Sequence, residues 1–402
     1  MAGRRRDVPV PSREARDHVL WCGRVSGMSL PRAEVVVDLE AIRHNVRLLA
    51  SRAAASGAET MAVVKADGYG HGAVPVARAA VEAGATWLGV ASLDEALALR
   101  NAGLTTRLMS WLDTPDVDFA PAVERDIDVS VSSTGELARA VDAAARVGRR
   151  ARVHLKIDTG LSRNGCPAEL WPTLVKAAAA EDGVEVVGMW SHLACADEPG
   201  HPATEAQAER FAAAYAVARE AGLSPLRHLA NSAATLTRPD LHFDLVRPGI
   251  AVYGLNPVSQ PEDLRPAMTF RSSVVLTKRI RAGESVSYGQ TWTASADTTV
   301  ALVPVGYADG VPRTLSGRLS VWLNGTRRPV VGRVCMDQLV VDCGDDEPEL
   351  GAEVVLFGTG EGGMPTATEW AEKIGTIDYE IVTGMYRPRV RRRYVGTERD
   401  RS

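Results

Sequence analysis

The sequence predicts an α/β protein made of a (β/α)8 TIM-type barrel and a smaller, mainly β C-terminal domain. Three observations favour this fold. The chain has 402 residues, which is more than one ordinary domain holds. Short apolar runs alternate with alanine-rich helical stretches from residue 33 to about 250, as parallel βαβ units do. After about Leu264 the helical stretches nearly vanish and alternating runs replace them.

Nine strand candidates precede this change of pattern, but a (β/α)8 barrel holds eight, so one strand must pair elsewhere. The candidates begin near Glu34, Met61, Thr86, Arg107, Ile127, Ala151, Val184, Arg227 and Phe243. Helices are predicted between them at 93–102, 134–147, 169–180 and 204–221. We expect a disordered extension over 1–28, the barrel over 29–264, the β-rich domain over 265–396 and a tail over 397–402.

The second part of the chain contains one predicted helix, at about 367–374, and a series of short strands. Asn324-Gly325 lies between two of these strands and is a strong signal for a two-residue hairpin turn. The strands are expected at 273–280, 285–288, 299–305, 319–323, 330–334, 339–341 and 354–357.

Composition excludes several functional classes. A formal net charge of −4 gives no reason to expect nucleic acid or an anionic membrane as a partner. The five cysteines are odd in number and form no C-x-x-C pair, so we expect reduced, cytoplasmic thiols and no metal site. No apolar run has membrane-spanning length. Arg4 to Arg6 precedes no signal-peptide core, and a start at Met1 or at Met28 stays open.

The most informative stretch joins a buried strand to a glycine-rich turn. The apolar run from Met61 to Val64 leads into Lys65, and a helical pattern begins at Ala73. Only five of the 46 basic residues are lysine, so a lysine at this strand end indicates a need for an amine. An amine can form a Schiff base and a guanidinium cannot. From position alone, a lysine that merely extends to solvent is an equally good interpretation.

The motif V-V-K-A-D-G-Y-G-H-G resembles the pyridoxal 5′-phosphate (PLP) attachment motif of alanine racemases. The resemblance runs from about Leu30 to about Tyr394, which is nearly the whole chain. It implies that the first strand pairs with the C-terminal domain and that the barrel begins near Met61. It also implies PLP attached to Lys65 and a homodimer whose subunits share each active site.

The resemblance places cofactor contacts at the carboxyl ends of barrel strands, where barrel enzymes have their chemistry. Tyr69 would close over the phosphate; a turn tyrosine at the surface is the alternative. Arg163 would lie near the phenolic oxygen of the cofactor and the substrate carboxylate, which a guanidinium binds bidentately. Lys156 matches a lysine that is carbamylated in some family members, and a plain pair with Asp158 is the alternative.

Further contacts follow from the same resemblance. His192 matches a histidine stacked on the pyridine ring, although a lone histidine in an apolar run is more often a core residue. Arg247 matches the residue at the pyridine nitrogen, where an arginine weakens the electron sink and favours racemisation over transamination. The phosphate cradle would comprise Asn231, Ser232, Gly249 and Ile250.

The β domain carries three more motifs that resemble the family. V-S-Y-G-Q contains Tyr288, which would act as the base opposite Lys65 and would arrive from the partner subunit. Its pKa, ordinarily ~10, would be lowered by hydrogen bonds through His192 to Arg247. Substrate contacts would come from Arg163 and from two motifs, V-G-Y-A-D-G and G-R-V-C-M-D-Q, that contain Tyr307, Met336 and Asp337.

One phosphate contact is ambiguous in the C-terminal stretch M-Y-R-P-R-V. Tyr386 matches the tyrosine that binds the phosphate in the family, but another register places Pro388 at that position.

The resemblance implies a PLP-dependent enzyme that interconverts L- and D-alanine by a two-base mechanism and supplies D-alanine for peptidoglycan. A racemase of another small amino acid, such as serine, stays open because an apolar pocket rejects a hydroxyl only about 10²-fold. Arg247 and Tyr288 argue against a PLP decarboxylase, and the second domain argues against a non-catalytic PLP carrier. A housekeeping role and a role in resistance to an antibiotic directed at D-alanine metabolism are both compatible with the sequence.

Overall fold

The fold is described from a computed structural model that defines residues 31–397. The extension expected over 1–28 lies outside the described residues, and so does the expected tail beyond Thr397.

The first strand, β1 (Glu34–Asp38), is not part of the barrel. It pairs antiparallel with Met268–Ser273 and parallel with Arg391–Val395, both in the C-terminal half of the chain. This confirms that one of the nine early strands pairs elsewhere.

Eight parallel strands form the barrel, with each strand hydrogen-bonded to the next around most of the circumference. Their bounds are β2 (Glu59–Val63), β3 (Trp87–Val90), β4 (Arg107–Ser110), β5 (Asp128–Val131), β6 (Ala151–Lys156), β7 (Val184–Trp190), β8 (Leu226–His228) and β9 (Leu245–Val246). The sheet order is β8-β7-β6-β5-β4-β3-β2-β9, which confirms the predicted barrel. Backbone bonds from Asp244 N to Arg227 O (3.1 Å) and from Arg247 N to Ala230 O (2.9 Å) join β8 to β9 at the seam.

Helices connect the barrel strands, and polar caps fix where several of them begin. Ser92 and Ser133 each accept a hydrogen bond from the N–H three residues later, as N-caps do. The predicted helices at 93–102, 134–147, 169–180 and 204–221 are confirmed to within two residues. The barrel-domain helices are Leu39–Ala55, Ala73–Glu82, Leu93–Asn101, Ala120–Glu124, Thr134–Val147, Trp171–Ala180, Pro202–Glu220 and Ser232–Thr237.

The C-terminal sheet has nine strands, of which β1 is one. The others are β10 (Met268–Ser273), β11 (Leu276–Ile280), β14 (Thr298–Val303), β15 (Ser320–Leu323), β16 (Thr326–Val331), β17 (Leu339–Gly344), β18 (Glu353–Phe357) and β19 (Arg391–Val395). A separate small ribbon pairs β12 (Ser285–Val286) with β13 (Trp292–Thr293). Asn324 and Gly325 both have positive φ and join β15 to β16, which confirms the predicted hairpin.

Three expectations for the β domain are wrong in detail. The run 273–280 is two strands, because Val274 N bonds to Ala352 O while Val275 N bonds to Leu302 O, so the chain changes partner strands there. Tyr288 lies in a 3-10 turn after β12 rather than in a strand. A second helix, Asp378–Thr383, follows the predicted helix Ala367–Ile374.

Among residues 31–397, no helix is both long enough and apolar enough to cross a membrane.

Candidate active site

Lys65 follows β2 at the carboxyl end of the barrel and begins a short turn in an unusual conformation. Ala66, Asp67, Gly68 and Tyr69 all have positive φ, between 50° and 63°. Three of these residues are not glycine, so the turn is strained, and strain of this kind is concentrated at functional sites. Neighbouring side chains hold it in place: Glu95 accepts from Ala66 N at 2.7 Å, and Asp67 accepts from Ala73 N at 2.8 Å.

The Lys65 ammonium is destabilised by its surroundings. Burial lowers the pKa of Lys65, the positive charge of Arg163 lowers it further, and Glu95 opposes both. A lysine whose pKa is lowered holds its amine in the nucleophilic, basic form more of the time.

The Tyr69 ring is buried in an aromatic cluster beside Lys65. Its centroid lies 4.7 Å from that of Tyr253 and 6.1 Å from that of Tyr379. A Cβ placed on Gly249 would lie 2.4 Å from the Tyr69 hydroxyl, so only glycine permits this approach. Tyr69 is therefore a fixed wall of the site and not a turn residue at the surface.

The predicted phosphate residues converge on one helix N-terminus. Asn231 caps the helix Ser232–Thr237 by accepting from Ala234 N at 3.1 Å. The Ser232 hydroxyl oxygen accepts from Gly249 N at 2.8 Å and from Ala251 N at 3.3 Å. Gly249 and Ile250 therefore lie beside Ser232, where backbone N–H groups and the helix dipole favour an anion.

Arg247 is buried at the barrel seam, and no carboxylate among residues 31–397 pairs with it. Its two Nη atoms donate to the carbonyl oxygens of Ser191 and His228, both at 2.7 Å, and Nη2 also lies 3.5 Å from His192 Nδ1. Burial lowers the pKa of Arg247 to about 9, which still leaves it protonated at neutral pH. Within residues 31–397, the Nε atom has no hydrogen-bond partner and is not among the fully buried polar atoms.

His192 is neutral because burial and four nearby cations, Arg247 first, lower its pKa to about 3. Since Arg247 can only donate, His192 Nδ1 accepts, and the ring proton is on Nε2. His192 is therefore a hydrogen-bond donor toward whatever approaches Nε2.

A buried chain of side chains extends from Arg247 through the barrel, and the sequence analysis did not identify it. Arg247 Nη1 lies 3.3 Å from His228 Nδ1, and His228 Nε2 lies 2.8 Å from His154 Nδ1. His154 Nε2 then lies 3.1 Å from Asp128 Oδ2. One set of neutral tautomers satisfies every contact, with each group donating toward Asp128. Burial raises the pKa of Asp128, but His154 and the flanking Arg152 and Arg107 outweigh burial and lower it.

Lys156 is also buried and has no ion pair with Asp158 among the described residues. Its Nζ atom lies 4.0 Å from the centroid of the Trp190 ring, while Asp158 accepts backbone N–H bonds from Gly160 and Ser162. Burial, together with Arg247 and Arg163, lowers the pKa of Lys156 to about 7. The Lys156–Asp158 pair is therefore not a direct contact among residues 31–397, although the negative charge of Asp158 partly opposes the lowering of the Lys156 pKa.

Arg163 is exposed at the edge of the group that contains Lys65, Lys156 and His192. Its positive charge lowers the pKa values of Lys65, Lys156 and His192, so the guanidinium lies close to all three.

The β-domain residues form a second group. Tyr288 is 73% exposed, and the preceding Ser287, with φ of 67°, donates to Arg333 O at 2.9 Å. Tyr307 N donates to Cys335 O at 3.0 Å, which places the Tyr307 turn against the loop that carries Met336. Within residues 31–397, no hydrogen bond, ion pair or ring contact joins Tyr288 to the group around Lys65.

An ion cluster that the sequence analysis missed holds this second group together. Arg32 pairs through both Nη atoms with the fully buried Asp309, at 2.8 and 2.9 Å, and also donates to Asp337 O at 3.1 Å. Asp309 in turn accepts from Gly306 N at 3.0 Å. Arg389 donates to the Asp337 carboxylate at 2.6 Å. The Tyr307 turn and the Met336-Asp337 loop are thereby fixed relative to each other.

Tyr386 is 63% exposed, and the Arg392 guanidinium lies 5.6 Å from its ring centroid. Arg392 also pairs with Asp67 in the lysine turn at 2.8 Å, so Tyr386 lies near that turn.

Comparison with known proteins places the chain in a family. The family model for the alanine racemase N-terminal domain matches residues 37–257, and that for the C-terminal domain matches residues 267–394. An alanine racemase of Salinispora arenicola is 55% identical over 370 residues, which cover 91% of this chain and 99% of that protein. One from Mycobacterium avium is 54% identical over 370 residues, which cover 90% of this chain and 95% of that protein.

Solved structures agree. The crystal structure of alanine racemase from D-cycloserine-producing Streptomyces lavendulae has a TM-score of 0.89 at 51% identity, covering 92% of this chain and 99% of that chain. The Streptomyces coelicolor A3(2) alanine racemase has a TM-score of 0.88 at 53% identity, covering 91% of this chain and 98% of that chain. The chain belongs to the alanine racemase family. It is therefore an enzyme, an amino-acid racemase of the isomerase class.

In this racemase the expected site residues fall into two sets. The barrel brings together Lys65, Tyr69, Lys156, Arg163, His192, Asn231, Ser232, Arg247, Gly249 and Ile250. The β domain brings together Tyr288, Tyr307, Met336 and Asp337. Tyr253, Tyr379, His154, His228, Asp128, Arg32 and Asp309 support these sets without having been identified from the sequence.

Proposed function

We propose that this protein interconverts L- and D-alanine with PLP, using Lys65 and Tyr288 of the partner subunit as its two bases. The observation that carries the proposal is the pairing of a buried lysine of lowered pKa with a neutral histidine whose Nε2–H has no hydrogen-bond partner among residues 31–397. Racemisation requires an acid/base group on each face of a planar carbon centre, because a single base returns the proton to the face it left.

The residues of the barrel fit PLP. Gly249, Ser232 and the N-terminus of the helix Ser232–Thr237 suit its phosphate, because this region offers N–H groups and a hydroxyl beside the buried Tyr69 ring. Arg247 Nε is a donor without a partner in the described chain and suits the pyridine nitrogen. The amine of Lys65 suits covalent attachment to the aldehyde of PLP. PLP, when bound, supplies an electron sink that makes the α-hydrogen of an attached amino acid acidic.

Arg247 tunes this chemistry toward racemisation. A carboxylate at the pyridine nitrogen would keep that nitrogen protonated, whereas Arg247 donates a hydrogen bond and keeps its own proton. The described partners of Arg247 are carbonyl oxygens and neutral histidines. None of these groups supplies a proton that Arg247 could pass on to the pyridine nitrogen. A weaker sink favours immediate reprotonation at the α-carbon over side reactions.

Lys65 and Tyr288 are suited to opposite proton transfers. The lowered pKa of Lys65 gives a basic amine on one face. On the other face, His192 Nε2–H can donate to the Tyr288 phenolate and so stabilise it, while Arg247 fixes the orientation of the His192 ring. A hydrogen bond to the charged form of an acid lowers its pKa.

We further propose that the enzyme is a homodimer with shared active sites. Tyr288 is 73% exposed and Met336 is 52% exposed, although both lie in sequence motifs of the catalytic type. Among residues 31–397, no hydrogen bond, ion pair or ring contact joins either residue to the Lys65 group. A second copy that presents this β-domain surface to the barrel mouth would complete both sites by two-fold symmetry.

Lys156 is proposed to be carbamylated. Only a neutral amine reacts with carbon dioxide, and a pKa of about 7 supplies one at physiological pH. Arg247 and Arg163 lower that pKa by repulsion, and the same two cations would stabilise the anionic carbamate. The modified side chain would then orient Arg163 toward the substrate carboxylate.

The biological role proposed is the supply of D-alanine for peptidoglycan in the cytoplasm. The purified protein should be assayed with the L and D forms of alanine and serine, after its absorption spectrum has been recorded. We expect absorption by a bound cofactor and racemisation that is fastest with alanine. Faster turnover of serine would reassign the substrate, and a protein that binds PLP but racemises neither amino acid would be a carrier.

A further inference from the structure

The last strand of the C-terminal sheet, β19, reaches the lysine turn, residues 65–72. It pairs with β1 and forms one edge of the nine-stranded sheet. Successive side chains of a strand point to opposite faces. Arg391 and Arg393 lie 3.8 and 3.7 Å from the Glu34 carboxylate on β1. Arg392, between them, pairs instead with a carboxylate of the lysine turn at 2.8 Å.

Asp67 is the group of the turn that Arg392 binds. Its Oδ2 atom accepts from Arg392 Nη1 at 2.8 Å, and its Oδ1 atom accepts from Ala73 N at 2.8 Å, where the next helix begins. The Asp67 backbone oxygen accepts from Gly72 N at 2.7 Å. One residue therefore closes the turn, joins it to the next helix and ties it to β19.

Glycine lets the C-terminal domain approach this turn closely. A Cβ placed on Gly72, whose φ is 100°, would lie 2.0 Å from the Tyr394 hydroxyl and 2.9 Å from Arg392 Nη1. A Cβ placed on Gly70 would lie 2.4 Å from Val382 O. Both β19 and the helix that contains Val382 therefore contact the turn.

The turn needs support from outside because its backbone is strained. Ala66, Asp67 and Tyr69 have φ between 50° and 51°, although none of them is glycine. Such residues keep a positive φ only where the surrounding structure holds them there. Lys65 begins the turn, so relaxation of the turn would change where the Lys65 amine is held.

We propose that Arg392 is a positioning residue for the lysine turn. Its ion pair with Asp67 holds the strained backbone in the conformation that presents the Lys65 amine to the cofactor. This inference rests on the proposed PLP-dependent function. The Arg392 guanidinium also lies 5.6 Å from the centroid of the Tyr386 ring, so it connects the turn with the tyrosine expected at the phosphate.

Variants of three neighbouring arginines test the proposal. Arg392→Met removes the pair with Asp67. Arg391→Met and Arg393→Met remove the same charge from the opposite face of β19 and are the matched controls. Hydrogen exchange of the peptide 65–73, measured without cofactor, should be about fivefold faster in Arg392→Met, because an ion pair of this kind shifts a local opening equilibrium by up to that factor. Exchange should be unchanged in both controls.

Attachment of the cofactor is the second readout. PLP is added to cofactor-free protein, and the attached fraction is fixed with borohydride at timed intervals. Label on the Lys65 peptide should appear at least about tenfold more slowly in Arg392→Met, because a misplacement of about 1 Å can cost up to ~10²-fold. Arg392→Lys, which keeps the charge, should recover part of the rate. Equal rates in Arg392→Met and the two controls would overturn the proposal.

Asp67→Asn decides whether Arg392 acts through Asp67. Asparagine can still accept from Ala73 N but has no charge for Arg392 to pair with. The double variant Asp67→Asn/Arg392→Met should therefore attach PLP no more slowly than the slower single variant, and multiplied effects would refute this route. If Arg392→Met does not fold by circular dichroism, the double variant replaces it, because it leaves no unpaired carboxylate.

Failure of the proposed function would look different. An unmodified chain that attaches no PLP would contradict that function, and the hydrogen exchange of the cofactor-free variants would then decide about Arg392. Faster exchange of the peptide 65–73 in Arg392→Met alone supports the positioning role. Equal exchange in Arg392→Met, Arg391→Met and Arg393→Met refutes it.

Discussion

His228 Nε2 donates to His154 Nδ1 across 2.8 Å inside the barrel, and the intervening strand β7 permits this bond because it carries glycine at position 188. A Cβ on Gly188 would lie 2.1 Å from His154 Nδ1. The histidine pair connects Arg247 at the proposed cofactor ring with Asp128 on the far side of the barrel. Asp128 also pairs with Arg152 at 2.6 Å, so the chain connects Arg247 to an ion pair at its other end.

Gly188→Ala should therefore reduce activity through Arg247. The new methyl group must displace His154 and so break the hydrogen bond between His154 and His228. His228, which contacts Arg247, is then no longer held in place. We expect racemisation to fall by up to ~10²-fold, since a displacement of about 1 Å can cost that much. Gly183→Ala is the matched control, because its nearest contact is Val141 Cγ1 at 3.6 Å. Steady-state kinetics and the cofactor absorption spectrum check this, and equal activity of the two variants would contradict the relay.

Lys65 should carry the cofactor. Borohydride reduction of the loaded enzyme, followed by proteolysis and mass spectrometry, should place the added cofactor mass on the peptide that contains Lys65. Lys156 is the internal control, because it is also buried and has a lowered pKa. Label on Lys156, or on no lysine, would exclude the proposed attachment.

The shared site should be recoverable from two inactive variants. Lys65→Ala lacks one of the two proposed bases, and Tyr288→Phe lacks the other. Mixed and re-equilibrated dimers have one site with both defects and one site with neither, so activity should return toward about a quarter of the wild-type value. Mixtures of either variant with itself should stay inactive. A mixture that stays inactive while mass spectrometry shows heterodimers would place both bases in one subunit.

Lys156 should make stability depend on pH. Its folded pKa is about 7, against an ordinary value of 10.5. The unfolded chain therefore binds more protons between these values, so stability should decrease as pH falls from 10.5 to about 7 and then level off. Lys156→Met should flatten this slope in carbonate-free buffer, as thermal unfolding would show. Added bicarbonate should raise the melting temperature of the unmodified protein but not of the variant; a rise in both would argue against the carbamate.

Local signals in the sequence were sufficient for the barrel. The predicted helix 134–147 agrees with the structure to the residue, and Ser133 caps its start while Gly148, with φ of 75°, ends it. The run 273–280 was misread because its apolar pattern continues through the point where the strand changes partners. The helix Asp378–Thr383 is six residues long, which is too short to establish a helical period.

The site shows the same division between local and long-range information. Lys65 and Tyr288 lie in contiguous motifs, so the resemblance of those motifs to the family is enough to identify both residues. His154 and His228 are 74 residues apart, and Arg32 is 277 residues from Asp309. Neither pair has a spacing signal, because the contact exists only after the strands have been arranged around the barrel and across the C-terminal sheet. Such partners become visible only in the folded structure.

Tyr288→Phe tests the direction of each proton transfer. The variant removes one proposed acid/base group and leaves unchanged the barrel residues proposed to hold the cofactor, so cofactor absorption should persist. The rate of racemisation should fall by ~10²–10⁴-fold or more, because a positioned acid/base group typically accelerates a reaction by that factor. We assign Lys65 to D-alanine and Tyr288 to L-alanine. In deuterated solvent the variant should exchange the α-hydrogen of D-alanine slowly and with retention, because Lys65 can remove and return a proton on its own face.

The enantiomer that exchanges is the decisive readout. Exchange from L-alanine should be much slower than from D-alanine, since the base for that face has been lost. Lys65→Ala with the amine supplied by added methylamine is the complementary experiment, and it should restore exchange of D-alanine preferentially. Faster exchange of L-alanine in Tyr288→Phe would reverse the two assignments. Racemisation at a near wild-type rate would remove Tyr288 from the mechanism. His192 would not explain such a rate, because its pKa of about 3 makes it too weak a base to replace Tyr288.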